Sequence, residues 1–317
     1  MSVTVAIPVR NGGDLFAQVL RAIAGQTVDH ELLICDSGST DGSADLAREH
    51  GARVIEIAPG QFNHGRTRNL LMREAGGSHV ALLTQDAEPA DERWLQRLLA
   101  GFEICPEVTL VYGPYIPRAS ASVGVRIELE QWFRSLSLDG APRIDRLAAD
   151  ERSIPATGLL GERGFFTDAN ACIARSAWER VPFRDASYAE DRALAIDMLR
   201  QGYAKVYLPD AAVLHSHRYS ASEQLRRCFD EWRGLHEIYG WREPADPRYL
   251  LGQLRGHLGR AHRAMLVDRM PARARYVNLA LIAEHHVLRL AGAVLGSRAD
   301  LLPPGFRRRL SLERRAD

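Results

Sequence analysis

Val80-Ala-Leu-Leu-Thr-Gln-Asp-Ala-Glu-Pro89 is the stretch on which the reading of this chain turns. Its first half is a short apolar run, the pattern of a buried strand. It then breaks into polar residues, and Pro89 stops any continuation. Asp86 is thereby placed just past the carboxyl end of a strand, the edge of an open α/β sheet where ligands bind. A carboxylate there is costly to bury unless something positive meets it, and a divalent cation carrying a diphosphate is one such group. An aspartate that merely caps a helix starting near Asp91 fits this segment as well. Other parts of the chain decide between the two.

Working back towards the start, Val3–Ile7 is β-branched and leads into Pro8, the pattern of a first buried strand. Arg10-Asn-Gly-Gly forms a loop, and the apolar spacing of Leu15, Val19, Ala22 and Ile23 predicts an amphipathic helix from Gly13 or Asp14. Leu32–Cys35 reads as a second strand running into the turn cluster Asp36-Ser-Gly-Ser-Thr-Asp-Gly. A helix over Ser43–Glu49 and a strand over Arg53–Ile57 complete a βαβαβ opening, which predicts parallel sheet. No Gly-x-Gly-x-x-Gly follows the first strand, so a dinucleotide cofactor is not expected. The polar residues gather at strand ends instead, at Pro8-Val-Arg-Asn, at Asp36 and at Asp86. Such a set can hold a nucleotide, with an Asp or Asn on the base edge and an Arg on phosphate.

After Phe62-Asn-His-Gly, a helix is expected over Arg66–Glu74, with Arg66, Arg68 and Asn69 in its first turn. Basic residues there oppose the helix dipole, and a bound anion would remove the penalty. Helix is expected over Asp91–Phe102, strand over Thr109–Tyr112, and an amphipathic stretch within Arg118–Leu138. Asp139–Arg163, rich in Gly, Pro and charge, reads as a mobile loop near the site or a surface excursion. Phe165–Ala174 reads as a strand carrying Asp168 and Asn170 on one face, where a sugar or an internal network could satisfy them. In the helix opening at Tyr188-Ala-Glu-Asp-Arg, Asp191 shares its spacing with Leu194, Ala195 and Met198, so it is expected to face inward and, unlike Glu190, to serve as a general base. Short apolar runs at Val206–Leu208 and Ala212–Leu214 precede His215-Ser-His217, two imidazoles that point the same way on an extended segment. Metal or phosphate contact would use them.

From Ser222 the chain turns helical and rich in Arg and His. Ala274–Leu295 is its most apolar helix, but Glu284, His285, His286 and Arg289 interrupt it, so it is expected to pack or lie at an interface and not to span a bilayer. The tail from Phe306 is basic with interleaved apolar residues, a pattern for anionic lipid heads or for a solvated end. The expected division is a domain over 1–220 and a helical region over 221–317, the latter contacting membrane or another copy. The formal net charge of +1 supplies no global field towards nucleic acid, which is not an expected partner. Cys35, Cys105, Cys172 and Cys228 form no Cys-x-x-Cys and read as reduced thiols of a cytosolic protein. No signal peptide and no membrane span are expected.

Taken in order, Val-Ala-Ile-Pro-Val-Arg-Asn, Leu-Leu-Ile-Cys-Asp-Ser-Gly-Ser-Thr-Asp-Gly, Arg-Thr-Arg-Asn, Leu-Leu-Thr-Gln-Asp-Ala and Tyr-Ala-Glu-Asp-Arg resemble the inverting family 2 glycosyltransferases of GT-A fold. The resemblance runs over about Ser2–Tyr219. Phe-Asn-His-Gly-Arg-Thr-Arg-Asn, Thr-Gln-Asp-Ala-Glu-Pro and Pro-Asp-Ala-Ala-Val-Leu-His-Ser-His resemble its bacterial rhamnosyltransferase branch, which implies a dTDP-rhamnose donor and a glycan or lipid-linked acceptor at the inner face of the membrane. The fold implied is α/β, a mostly parallel central sheet flanked by helices with a helical C-terminal extension. The resemblance further implies Asp36 on the base edge, Pro8, Arg10 and Asn11 lining the nucleotide pocket, Arg68 beside the base, and Asp191 as catalytic base. It implies Mg²⁺ or Mn²⁺ at Asp86 with His215, His217 being a second candidate, and leaves Asp168, Asn170 and Glu190 for the substrate. Two departures stand out: Thr84 replaces the first Asp of the family's Asp-x-Asp, and Arg10 stands where an aromatic residue is common. A UDP- or GDP-sugar donor, a non-catalytic sugar-nucleotide-binding module and a sugar-nucleotide pyrophosphorylase are the competing readings. The short, Lys-free loop after the first strand speaks against the last.

Overall fold

The computed structural model describes residues 1–159, 161–186 and 188–312. The chain divides into two compact units, Met1–Arg118 with Gln131–Ser216, and Ala119–Glu130 with His217–Asp317.

The first unit opens with β1 (Val3–Val9), α1 (Gly13–Ala24), β2 (Glu31–Asp36), α2 (Ser43–Glu49), β3 (Arg53–Glu56), α3 (His64–Glu74) and β4 (His79–Leu83). These coincide closely with the expected elements, because the apolar runs are short and each is bounded by turn residues. Then come β5 (Glu88–Pro89), α4 (Trp94–Ala100), β6 (Val108–Tyr112) and β7 (Tyr115–Ile116). After α5 (Val123–Leu136), whose residues up to Glu130 belong to the second unit, follow β8 (Arg143–Asp145), β9 (Asn170–Ala174), α6 (Arg175–Trp178), α7 (Glu190–Arg200), β10 (Ala204–Tyr207) and β11 (Val213–Leu214).

Eight strands form one sheet in the order β3-β2-β1-β4-β9-β6-β10-β8. β1 pairs in parallel with β2 and β4, β2 with β3, and β6 with β10, whereas β9 runs antiparallel to both β4 and β6. The chain leaves β1 to one side for β2 and β3, then returns to its other side for β4. That makes the crevice outside the carboxyl ends of β1 and β4 the switch point of the topology, where ligands of open α/β sheets bind. Pro8 sharpens it. β1 stays paired with β4 only from Val3 to Ala6, while its pairing with β2 continues to Val9. A residue without an N–H is tolerated where one neighbour has already parted.

A second sheet has three very short strands in the order β5-β11-β7. Val213 lies opposite both Pro89 and Tyr115, and Leu214 opposite both Glu88 and Ile116. Strands this short need outside support, and Asn170 supplies it. The side chain of Asn170 is fully buried, and its Nδ2 donates to the carbonyls of Pro114 at 3.1 Å and Ala211 at 2.8 Å, each two residues or less from a strand of the small sheet. Its Oδ1 accepts from Trp94 Nε1 at 2.8 Å. Gly113 allows the close approach: a Cβ there would sit 1.8 Å from the Ala211 carbonyl oxygen.

Two sequence expectations change. The segment 139–163 is not only an excursion, since β8 joins the sheet edge antiparallel to β10. The reason is a fully buried lysine: Lys205 Nζ lies 2.5 Å from Asp145 Oδ2, and Arg143 pairs with Asp145 and Glu162. Burial lowers the Lys205 pKa to about 8, while Asp145 opposes that shift. The expected strand over Phe165–Ala174 begins only at Asn170, so Asp168 precedes it and lies on no strand.

The second unit holds α8 (Ala221–Tyr239), α9 (Pro247–Val267), α10 (Ala272–Gly296) and α11 (Pro304–Leu310). Val123 and Ile127 of α5 pack with Ala261, Met265 and Ile282, which explains why residues 119–130 go with this unit and not with the domain expected over 1–220. Gly292 and Gly296 let α10 approach the backbone of α8 at Leu225 and Phe229. Contrary to expectation, α10 is long and apolar enough, by length and composition, to cross a membrane. The end of the basic tail, residues 313–317, lies outside the described residues.

Truncating Asn170 strands the Trp94 N–H and the Ala211 carbonyl, each costing roughly 1–3 kcal/mol, while the Pro114 carbonyl keeps the Val213 N–H at 3.1 Å. We expect Asn170→Ala to lower unfolding free energy in urea by about 3 kcal/mol or more; a loss below about 1 kcal/mol would contradict this role.

Candidate active site

The parallel strands bring Arg10 and Asn11, Asp36, and Asp86 to one sheet edge. The loops there are tied to each other before any ligand is considered. The Arg10 N–H donates to Gln85 Oε1 at 2.8 Å, and Gln85 Nε2 donates back to the Arg10 carbonyl at 3.3 Å. Asn11 adopts a left-handed backbone at φ 49°, and its Oδ1 accepts from the Thr40 N–H at 2.8 Å. Asp36 is buried; its Oδ1 accepts from the N–H groups of Gly38 and Ser39, both at 2.9 Å. Its Oδ2 is buried with no hydrogen-bond partner among the described residues. A carboxylate oxygen left in that state is open to a donor from a ligand.

The small sheet builds the next part. Asp86 lies two residues before β5, Arg118 two after β7, and His215 directly after β11. Asp86 Oδ1 lies 3.5 Å from Nδ1 of the buried His215, whose ring meets Tyr115 edge-on. Arg118 donates to the Asp86 carbonyl at 2.9 Å and to Glu88 Oε2 at 2.9 Å. Thr84 and Ala87 close the turn that presents Asp86, through a 3.1 Å backbone bond. The Thr84 hydroxyl is buried with no hydrogen-bond partner among the described residues. His217 opens the second segment of the second unit.

The residue set Asp86 and His215 fits a divalent cation. The two side chains offer an oxygen and a nitrogen within 4.8 Å of each other. A carboxylate with an imidazole suits Mn²⁺ or Mg²⁺ completed by phosphate oxygens and water.

A third cluster was assigned differently from sequence. Arg68 is buried, and its guanidinium pairs with Asp168 and, at 3.2 Å, with Glu190. His64 Nδ1 lies 3.7 Å from the same Glu190 carboxylate. Arg68 is therefore committed to two carboxylates. Asp168 and Glu190 are both buried and share Arg68 as their cation. Asn170, the third residue expected on substrate, is saturated by the internal bonds described above. Buried polar groups take the partners nearest in the fold, and sequence spacing could not show which those were.

The expected contrast between Glu190 and Asp191 is also reversed. Glu190 is the buried one, 4 % exposed, while Asp191 is half-buried. Asp191 follows Ala189, which takes a left-handed backbone at φ 59°. Partial burial and the neighbouring Glu190 charge raise the Asp191 pKa from 3.8 to about 6, against weaker opposition from Arg192 and Arg68. A carboxylate poised there can take up a proton near neutral pH.

Residues 4–137 match the profile of "Glycosyl transferase family 2". The chain is 32 % identical over 236 residues to the O-antigen chain rhamnosyltransferase RfbN of Salmonella typhimurium, covering 73 % of this chain and 71 % of that one. The chain belongs to glycosyl transferase family 2. A second relative, the O-antigen chain rhamnosyltransferase WbaN of Salmonella anatum, is 30 % identical over 234 residues, covering 72 % of this chain and 70 % of that one. Among solved structures, a mannosyltransferase of Pyrobaculum calidifontis in complex with GDP-Man and Mn²⁺ aligns with TM-score 0.62 at 19 % identity, covering 93 % of this chain and 86 % of that one. S. aureus TarS 1–349 in complex with UDP-GlcNAc aligns with TM-score 0.52 at 13 % identity, covering 95 % and 92 %. The family 2 protein is thus a glycosyltransferase of GT-A fold, similar to bacterial rhamnosyltransferases.

Arg118 and Gln85 were missed in the sequence. Each sits just past the end of a strand, as Arg10 and Asp86 do, and that shared position was the signal.

The raised Asp191 pKa has a stability consequence. The folded state binds this proton more tightly than the unfolded state, so the penalty is absent below about pH 4 and complete above about pH 6. Asp191→Asn is expected to stabilise the protein above about pH 6, by about 2 kcal/mol at most given partial exposure, with the gain vanishing near about pH 4. Thermal unfolding of both proteins across that range would show it; equal stability at about pH 8 would contradict the shift.

Proposed function

We propose that this glycosyltransferase moves L-rhamnose from dTDP-rhamnose to a hydroxyl of a glycan or lipid-linked precursor at the cytoplasmic face of the membrane, with inversion at the anomeric carbon. A rhamnosyl group passed to a glycan is supported by the O-antigen chain rhamnosyltransferase relatives, of which the alignments cover more than two thirds. The observation that carries the site assignment is the Asp86–His215 pair, at the same sheet edge as Asp36 with its open oxygen.

In this reading Asp36 accepts from the base edge, and Pro8, Arg10 and Asn11 line the nucleotide pocket. Asp86 and His215, with His217 a further candidate ligand, would hold Mg²⁺ or Mn²⁺, whose charge would neutralise the leaving diphosphate. Arg118 keeps the Asp86 backbone in place. Asp191 accepts the proton of the acceptor hydroxyl as that oxygen bonds to the anomeric carbon. The bond from that carbon to the diphosphate breaks, and its electron pair leaves with the phosphate oxygen. With one base and no covalent intermediate, a single displacement inverts the centre.

GDP- and UDP-sugar donors are the second reading, favoured by the ligands of the structural neighbours. A thermal-shift panel of dTDP-, UDP- and GDP-sugars with and without Mn²⁺ separates them, because a ligand of the native state raises the melting temperature by mass action. The dTDP-rhamnose reading expects the largest shift with dTDP-rhamnose, lowered in Asp86→Ala. A larger shift with UDP- or GDP-sugars would replace it.

Asp191→Asn is expected to lower transfer by at least about 10³-fold while leaving the donor-induced shift intact. In the wild type, transfer should rise with pH up to about 6 and then level, since only the ionised carboxylate accepts the proton. Near wild-type transfer by Asp191→Asn would end this assignment of the base.

A further inference from the structure

The second unit carries a surface that catalysis leaves unexplained. The inner face of α10 is packed: Leu279, Ile282 and His286 turn towards α9 or its neighbours, and Gly292 lies against α8. On the opposite side, residues at helical spacing leave Tyr276 71 % exposed, Val277 55 %, Leu281 57 % and Val287 49 %. Ala280 and Ala291 are exposed on the same stripe, and Glu284 is its one acid. The turn leading into it exposes Leu266 and Val267, the latter 80 %. Large exposed side chains in one contiguous row mark an interaction surface and not scattered surface apolarity.

Charge identifies the occupant. From Arg260 to Val277 there are five arginines and one acid, Asp268. Arg263, Arg269 and Arg273 are exposed around the turn that presents Val267 and Tyr276. A second copy using the same face would bring arginines towards arginines, with only Asp268 and Glu284 to answer them. An anionic lipid surface answers all of them and receives the apolar row as well. Arg289 on the packed side pairs with Glu128, so that side remains a protein-packed face and does not turn to lipid. The arrangement is that of a helix lying in an interface and not crossing it.

We propose that the α9–α10 turn and the outer face of α10 dock this protein flat on an anionic bilayer, with Val267, Tyr276, Val277 and Leu281 entering the headgroup boundary. Tyrosine suits that depth, with an apolar ring and a polar tip. This docking surface is independent of which sugar is transferred.

The test uses the full chain and vesicles of phosphatidylglycerol with phosphatidylethanolamine, compared with vesicles of phosphatidylcholine alone. Co-sedimentation should be strong with the first and weak with the second, and weakened by salt. Val277→Glu with Leu281→Glu, and separately Arg269→Glu with Arg273→Glu, should each lower partitioning at least about tenfold. Circular dichroism checks that helix content is kept; Val277→Ser with Leu281→Ser serves if the glutamates unfold the unit. Donor-induced thermal shifts should match wild type in all of these. Absent binding to anionic vesicles, unchanged binding in both pairs of variants, or a wild-type dimer that Val277→Glu with Leu281→Glu splits without any vesicle binding would overturn the proposal.

Discussion

The buried guanidinium of Arg68 is the interaction on which the rest of the first unit depends. It joins three segments far apart in sequence: α3, which carries it; the approach to β9, which carries Asp168; and the first turn of α7, which carries Glu190. A lone buried charge would be prohibitive, and two carboxylates around one cation leave the cluster negative. His64 Nδ1 joins the cluster at the same Glu190 oxygen, 3.4 Å from an Arg68 nitrogen. The cluster's yield is specificity of arrangement more than net stability. α7 can start in only one place relative to α3, and the residue after Glu190 is thereby positioned as well.

Asn170 does the same for the opposite side of the site with neutral hydrogen bonds. It lies opposite Leu83, the last residue of β4, in the antiparallel pairing. From there its amide reaches the backbone ahead of both β7 and β11. The three short strands have little intrinsic stability, yet their ends carry Asp86, Arg118 and His215. One buried amide, admitted by the missing side chain of Gly113, therefore fixes the geometry of three polar side chains it does not touch. Both supports obey one rule: the side chains that face a ligand are few, and fully buried polar groups hold them there.

This division explains what could be read from the sequence. Short apolar runs ending in turn residues gave away β1 to β4 and the edge where Asp36 and Asp86 stand, because that information is local. The antiparallel insertion of β9 and the edge strand β8 were not legible. Whether a run such as Asn170–Ala174 pairs in parallel depends on strands far away in the chain, and β8 owes its place to Lys205, whose type alone argues for solvent. Polar residues were recognised as important, and for Asp168 and Asn170 an internal network was one of two readings. Asp168, Asn170, Glu190 and Arg68 all resemble ligand contacts in a one-dimensional pattern, and only the fold shows that they are satisfied from within the protein.

Glu190 and Asp191 show how far one residue of offset can separate two carboxylates. Glu190 meets Arg68 and is buried with its charge compensated. For Asp191, burial and the repulsion of Glu190 outweigh the pull of Arg192 and Arg68, and its proton affinity rises. The first carboxylate thus acts on the second in two ways, anchoring the helix turn and making its neighbour more basic. A general base needs both properties at once, a fixed position and a pKa near the working pH. An acidic pair at a helix start supplies them when one member is held by a buried cation and the other is not, and Arg68 makes that distinction here.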